Sequence, residues 1–117
     1  MKYMLLIHES EQAWAALSEV ERQTIMAAYR QFSAEIQATG QFLSGSQLQA
    51  TSNATSVRVR NGKRLVTDGP FAETREQLGG YFLVEASDLD EAIALAERLP
   101  SVLTGTIEVR PLAETRH

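Results

Sequence analysis

Two side chains of this 117-residue chain have the chemistry of a general acid/base pair, His8 and Asp68. His8 is the only histidine outside the C-terminal tail, and it follows a short apolar run, residues 4–7. An imidazole ordinarily titrates near pH ~6.5, which suits a general base at neutral pH. The alternative is a polar strand end whose histidine is hydrogen-bonded and inert. His8 is therefore a candidate catalytic residue with a structural alternative.

Asp68 opens the turn sequence DGPF. An aspartate before a turn usually accepts a hydrogen bond from the backbone N–H two residues on. That residue is Pro70, which has no N–H. Asp68 therefore needs another donor, either Phe71 or Ala72 if it caps the turn, or else a distant group, water or a ligand. If its partner is a distant group, water or a ligand, Asp68 could orient His8 or act as a base itself.

Three further residues are candidate substrate-binding groups, namely Phe71, Glu73 and Tyr81. Tyr81 could line a pocket or donate a hydrogen bond. Phe71 follows a rigid Gly-Pro corner, and we expect it to be buried in the core. Glu73 either lines the pocket or joins Arg75 and Glu76 in a solvated charge cluster, which is the usual position of charge.

The composition makes several classes of site improbable. The chain has no cysteine, which excludes disulfides, thiolate metal sites and cysteine nucleophiles. Two histidines do not make a standard zinc site, and no phosphate-binding glycine motif is present, so we expect neither a metal nor a cofactor. The net charge of −4 gives no reason to expect nucleic acid as a partner. No signal peptide or membrane span is evident, so we expect no membrane association and a cytoplasmic location.

The strands that would position these residues follow from their residue patterns. Four segments are apolar or alternate in the manner of strands: residues 2–8, 42–48, 81–86 and 106–110. Two alternating runs flank Asn61-Gly62, the dipeptide most typical of a type I′ hairpin turn.

Two helices are indicated by their caps. Ser18 and Glu21 have the spacing of a capping box and predict a helix over residues 18–39. A second helix begins at Ser87 or Asp88 and ends before the next proline. Its predicted apolar stripe consists of Leu89, Ile93, Ala96 and Leu99.

The order strand, helix, strand, hairpin, strand, helix, strand predicts a ferredoxin-like split β-α-β fold of the α+β class. We expect one domain over residues 1–112 and a tail over residues 113–117. The helices cover one face of the sheet, yet residues 2–8 and 81–86 are apolar on both faces. A second copy of the chain is the simplest cover for the other face. We therefore expect a homodimer with its sheets face to face and a small-molecule pocket, beside His8, at the open ends of the interface.

The hairpin tip is basic. In a two-residue turn Arg60 lies opposite Lys63, and Arg58 and Arg64 are close by. These charges either keep a solvated tip from pairing edge to edge or form a docking site for an acidic protein partner or an anion.

The chain resembles the YCII-related family, specifically the subgroup named for its Asp-Gly-Pro-Phe motif. The segments that carry the resemblance are DGPFAETREQLGGYFLVEASDLDEAIALAERLP, the opening MKYMLLIHES and the closing GTIEVRPL. The resemblance implies a dimeric α+β barrel, and it implies a pocket faced by a histidine and an aspartate. In two places the chain departs from the subgroup. His8 stands where a tyrosine is common, and the PSVLTG segment lacks a histidine that similar chains have before the last strand.

Three functions remain open. The first is a cofactor-independent acid/base enzyme on a small organic substrate, with His8 and Asp68 as its catalytic residues. The family resemblance implies that this substrate is lactone-like, since some relatives in the wider superfamily act on small lactone-like or chlorinated ring-cleavage products. The second is a non-catalytic dimeric ligand-binding or regulatory module, which the resemblance associates with sigma-factor-linked transcription. The third is a dimeric scaffold without a retained site.

Overall fold

The structure, a computed structural model, describes residues 1–113. In this part of the chain six strands lie at Lys2–Glu9 (β1), Phe42–Gln47 (β2), Thr55–Arg60 (β3), Lys63–Asp68 (β4), Gln77–Glu85 (β5) and Thr106–Pro111 (β6). The helices are Glu11–Ala16 (α1), Glu19–Ala38 (α2) and Leu89–Glu97 (α3), with short 3-10 turns at Thr51–Asn53 and Pro100–Val102. The predicted tail begins at residue 113, and residues 114–117 lie outside the described part.

Four strands form one antiparallel sheet in the order β2-β5-β1-β6. The segment containing α1 and α2 connects β1 to β2, and α3 connects β5 to β6. The chain is therefore an α+β protein with the strand order of a ferredoxin-like split β-α-β unit, as the sequence predicted. The association of two copies into a barrel stays a prediction.

The two faces of this sheet differ in burial. On β1, Tyr3, Leu5 and Ile7 are buried beneath the helices, whereas Met4 and Leu6 are only partly covered. The same alternation continues on β5, where the buried side chains include Phe82 and Val84 and the partly covered ones Tyr81 and Leu83. We call the side bearing Met4, Leu6, Tyr81 and Leu83 the open face.

Helix α2 begins as the sequence indicated. The Ser18 hydroxyl accepts a hydrogen bond from the Glu21 N–H at 3.1 Å, and the Glu21 carboxylate accepts one from the Ser18 N–H at 3.0 Å. This reciprocal capping box satisfies two backbone donors at the start of the helix. Phe32 and Ile36 then bring the apolar side of the helix into the core.

The predicted apolar stripe of α3 was partly wrong. Leu89 and Ile93 are 48% and 39% exposed. The buried stripe is instead Ala92, Leu95, Ala96 and Leu99. This set has the same helical spacing, and its alanines leave room for the helix to lie close to the sheet. Because α3 is apolar on more than one side, periodicity alone did not select the buried one.

Helix α1 was not predicted. Ser10 caps it by accepting a hydrogen bond from the Ala13 N–H at 3.1 Å. The helix has six residues and none of them is buried, so it offers no apolar periodicity to detect.

Strands β3 and β4 form a separate two-stranded sheet, which we call the hairpin. Its turn is the predicted one, because Asn61 and Gly62 both have positive φ, at 54° and 74°, and Arg60 pairs with Lys63. Every residue of its two strands except Ser56 is exposed. The radius of gyration of 16.3 Å exceeds the roughly 13 Å expected of a compact chain of this length, which is consistent with a projecting hairpin.

Phe71 is not in the core, contrary to the prediction. Its side chain is 82% exposed, in the loop that follows the hairpin. The sequence prediction was that Phe71 is buried in the core. The hairpin lies outside that sheet, so the loop leaves from a strand end that the core does not cover.

No helix within residues 1–113 is both long enough and apolar enough to span a lipid bilayer.

Candidate functional site

His8 lies at the end of β1 on the open face, and its partner is a carboxylate of the neighbouring strand. Its Nε2 atom is 3.1 Å from Oε1 of Glu108, a hydrogen-bond distance. The other oxygen of Glu108 accepts a hydrogen bond from Arg110. The hydrogen bond from Arg110 and then that from His8 hold the pKa of Glu108 below its usual value of 4.5. Glu108 is therefore an ionised group that orients the imidazole.

This contact follows from the register of two strands. His8 lies opposite Thr106, and Leu6 lies opposite Glu108, so Glu108 is the diagonal neighbour of His8 on one face. Long side chains reach each other across such diagonals. The backbones are also close here, because a Cβ atom at Gly105 would clash with the His8 carbonyl oxygen.

The space beside His8 is shallow and open, and residues with polar side chains line it. Thr74, Arg75, Glu76, Thr106 and Glu108 surround it, with a volume of about 590 Å³. The Thr106 hydroxyl donates a hydrogen bond to Glu76 at 2.8 Å, which ties this edge to the loop before β5. Within one chain, the arrangement is a histidine and two carboxylates at an open surface.

Asp68, the predicted companion of His8, ends β4 on the exposed hairpin and pairs with Thr55. Among residues 1–113 we find no hydrogen bond between the Asp68 carboxylate and His8, nor one from the N–H of Phe71 or Ala72. One chain therefore shows His8 with Glu108 and not with Asp68. A catalytic role for Asp68 stays a prediction.

The remaining predicted site residues are dispersed. Glu73 is exposed in the same loop as Phe71. Tyr81 lies on the open face, where its Oη atom is 3.4 Å from Oγ of Ser44. Tyr81 also lines the cleft described below, whereas Phe71 and Glu73 line neither that cleft nor the space beside His8. The roles of the three in substrate binding stay predictions.

A larger cleft lies on the opposite side of the sheet, between the sheet and helices α1 and α2, and the sequence reasoning missed it. Its volume is about 730 Å³. Its walls are mainly apolar and aromatic, and include Trp14, Met26, Tyr29, Phe42 and Phe82. This space belongs to a single chain, so it differs from the interface pocket that the sequence predicted.

Two helix-facing positions of the sheet beside the cleft are glycines. Gly45 pairs with Phe82, and Gly80 pairs with Ile7, so both glycines face the helices. A Cβ atom at either would lie 3.0 Å from its nearest neighbour. A larger residue at either position would therefore displace the side chains or backbone next to it.

Helix α2 contributes a stripe to the opposite wall. Met26, Tyr29, Arg30 and Ser33 all line the cleft and recur at the spacing of one helical face. Two members of this stripe are polar, namely Ser33, which is partly buried, and Arg30, which is exposed at the edge of the cleft. This stripe is the sequence signal that could have indicated the cleft.

One rim of the cleft is held by side-chain contacts to the backbone. The Glu11 carboxylate accepts hydrogen bonds from the Thr51 N–H at 2.8 Å and from its hydroxyl at 2.5 Å. The Glu11 N–H donates to Gln77 at 2.9 Å. These contacts join α1, the 3-10 turn and β5, and so fix three elements around the opening.

Another part of the cleft carries a pair of hydroxyl groups. Tyr29 and Ser101 are hydrogen-bonded through their side chains, and Ser101 is only 4% exposed. Burial raises the pKa of Tyr29 above its usual value of 10, the Ser101 hydrogen bond opposes this, and the charge of Glu9 adds to the increase. The phenol is thus a neutral hydrogen-bonding group at physiological pH.

Within residues 1–113 no group of three or more histidine, aspartate or glutamate side chains is placed to hold a metal ion.

Sequence comparisons extend over nearly the whole chain. The profile of the YCII-related domain matches residues 1–116. An uncharacterized protein of Rhizobium meliloti (strain 1021) is 36% identical over 115 residues, which cover 97% of this chain and 93% of that protein. These matches assign no reaction, ligand or partner.

Proposed function

The chain belongs to the YCII-related family, and we propose that it is a homodimeric protein that binds a small, largely apolar organic molecule in the cleft between its helices and its sheet. The observation that carries this proposal is the cleft itself, about 730 Å³ in volume with aromatic walls. Small-molecule sites commonly have this size and a mainly apolar lining.

The polar groups of the cleft fit the same function. Binding sites combine an apolar body with a few placed polar groups that fix the orientation of the ligand. Here the Tyr29 and Ser101 hydroxyls lie at one part of the wall and Arg30 at another. The Glu11 contacts hold the rim in place, which lowers the cost of ordering it around a ligand.

Trp14 makes the proposal directly testable. It is the single tryptophan of the chain and it lines the cleft. We expect the apolar fluorophore N-phenyl-1-naphthylamine to bind and to accept excitation energy from Trp14. Ser33→Phe should fill the cleft from α2 and weaken this binding about ten-fold or more.

Ala34→Phe is the matched control for this experiment. Ala34 is the next residue of α2, is exposed and does not line the cleft. The control should bind the probe as the wild type does. The proposal would be wrong if the wild type bound no probe, or if the two variants behaved alike.

The homodimer is supported by the open face. Met4, Leu6, Tyr81 and Leu83 form an apolar centre on a sheet whose other side carries the helices. The hairpin adds Val57, with 63% of its side chain exposed, on a two-stranded unit that alone is marginally stable in water. A second copy placed by two-fold symmetry would cover both surfaces.

A second candidate function is acid/base catalysis at His8 on a small organic substrate, without a cofactor. Its support is the 3.1 Å contact with Glu108, since a carboxylate fixes the ring orientation and tautomer of a catalytic histidine. Asp68 stays the predicted second catalytic residue. This function requires that His8→Ala and Asp68→Ala each abolish turnover of a substrate while leaving the dimer intact. Full activity in either variant would refute the proposed pair.

A regulatory role through the hairpin is the remaining alternative. Arg58, Arg60, Lys63 and Arg64 are all exposed on it, as a docking site for an acidic protein requires. Charge reversal at Arg58, Arg60 and Lys63 should release such a partner in a pull-down. An unchanged set of bound proteins would exclude this role.

A further inference from the structure

We infer that the ligand of the cleft is an apolar organic anion with one acidic group, most simply a monocarboxylate, and that Arg30 binds its acidic end. This inference rests on the proposed ligand-binding function. It adds the chemical class of the ligand and a residue that selects it.

Arg30 differs in its ion pairing from the other arginines that lie outside the hairpin and the loop after it. Arg22 pairs with Glu19, Arg98 with Glu35 and Arg110 with Glu108. Outside the hairpin and the loop that follows it, Arg30 is the one arginine within residues 1–113 that has no ion pair.

The helix itself offers Arg30 no carboxylate. The residues three and four positions away on either side, where a side-chain partner would lie, are Met26, Ala27, Ser33 and Ala34. Met26 and Ser33 line the cleft together with Arg30. Arg30 therefore stands at the cleft between an apolar residue and a hydroxyl-bearing one, with its side chain exposed to solvent.

The two carboxylates that line the cleft already have partners. Glu11 binds Thr51, and Glu9 accepts a hydrogen bond from the Thr104 hydroxyl at 2.5 Å. Arg30 is thus the charged lining group that remains available to a ligand. A guanidinium binds a carboxylate through two parallel hydrogen bonds, which are stronger than bonds between neutral groups.

Glu9 restricts the number of acidic groups on the ligand. Glu9 lines the cleft wall together with Tyr29 and Ser101. A second carboxylate directed toward that wall would meet a like charge, and like charges in a partly enclosed site repel. The ligand body that fits beside Trp14, Phe42 and Phe82 is apolar.

The test compares acids with their uncharged amides. Octanoate and phenylacetate, and separately octanamide and phenylacetamide, would be titrated into the full-length protein, with Trp14 emission and calorimetric heat as readouts. Each acid and its amide have nearly the same shape, so a difference in affinity reports the charge. We expect each acid to bind more tightly than its amide by a factor of about ten or more, which is the effect of a charge-assisted hydrogen bond.

Two variants with the same change in net charge locate this effect. Arg30→Gln should bring the affinity of each acid down to that of its amide. Arg58→Gln removes one positive charge from the hairpin, away from the cleft, and should preserve the difference.

Each other outcome has a definite meaning. If acids and amides bind equally to the wild type, Arg30 does not select an anion, and the inference fails while the ligand-binding function stands. A preference for acids that survives in Arg30→Gln, or that is also lost in Arg58→Gln, overturns the inference as well. If none of the four compounds nor N-phenyl-1-naphthylamine binds, the inference and the proposed function fail together.

Discussion

Nε2 of His8 lies 3.1 Å from Oε1 of Glu108, although 100 positions separate the two residues in the chain. The contact depends on the pairing of the first and last strands of the sheet. It places an ionised carboxylate beside the imidazole at the end of the open face. The first prediction concerns this carboxylate.

Glu108 makes the stability of the protein depend on pH in the acidic range. Hydrogen bonds from Arg110 and His8 lower its pKa in the folded state from the usual 4.5. Ionised Glu108 therefore stabilises the fold above the unfolded pKa, and this contribution is lost as the pH falls through the lower folded value. Between about pH 7 and about pH 3, we expect the free energy of unfolding to fall more in the wild type than in Glu108→Gln.

Arg110→Gln is the control, because Arg110 is the larger cause of the lowered pKa. In urea unfolding, the pH dependence of the free energy of unfolding should be closer to that of Glu108→Gln in this variant than in the wild type. Identical pH dependence in the wild type and in Glu108→Gln would contradict the prediction.

A charge on the open face should separate the two copies. We predict that the wild type sediments as a dimer at micromolar concentration and that Leu83→Glu sediments as a monomer. A carboxylate buried in an apolar interface without a partner loses its hydration and gains nothing in return.

Val20→Glu introduces the same charge on α2, where Val20 is 72% exposed, and should remain dimeric. Sedimentation velocity distinguishes these states. A monomeric wild type, or a dimeric Leu83→Glu variant, would show that the open face is not the interface.

Gly105 should tolerate no side chain. A Cβ atom there would overlap the His8 carbonyl oxygen, a backbone atom that cannot move without shifting β1. We expect Gly105→Ala to lower the free energy of unfolding by about 1–3 kcal/mol. At Gly79 the nearest atom to an added Cβ is 3.9 Å away, so Gly79→Ala should change the free energy of unfolding by only about 0.5 kcal/mol. Equal urea midpoints for the two variants would show that the strands can adjust.

The buried hydroxyl pair should contribute to stability until Tyr29 ionises. Tyr29→Phe leaves the buried Ser101 hydroxyl without its partner, which costs about 1–3 kcal/mol at neutral pH. Burial raises the pKa of Tyr29 in the fold, so its contribution is complete below the unfolded value near 10 and is lost as the pH rises through the folded value. The wild type should therefore lose stability at alkaline pH faster than Tyr29→Phe.

Adding Ser101→Ala completes a double-mutant cycle. If the two hydroxyls stabilise each other, the effects of the single substitutions will not add. Additive effects at neutral pH would mean that the contact contributes nothing to stability.

Local signals made much of the fold predictable. The Ser18–Glu21 pair marked the start of α2, and Asn61-Gly62 marked the hairpin turn, because in both places the residue types satisfy a requirement of the adjacent backbone. The two apolar faces of β1 and β5 were likewise visible in the alternation of their residues.

Other features depend on contacts between distant segments, and one sequence does not reveal these. Phe71 looked like a core residue, but its burial depended on where the hairpin lay relative to the sheet. The contact of His8 with Glu108 required the register of β1 and β6. The cleft is lined by residues of α1, α2, β2 and β5, which only the fold brings together.

In this fold, the residues that anchor the core differ from many of those that line the cleft. Tyr3, Leu5 and Val84, which anchor the fold, are buried among the helices without lining the cleft. A larger residue on the helical wall of the cleft, for example at Ser33, would reduce the volume of the cleft without changing the packing of Tyr3, Leu5 and Val84. Ligand preference in this architecture could therefore diverge through small substitutions that do not weaken the scaffold.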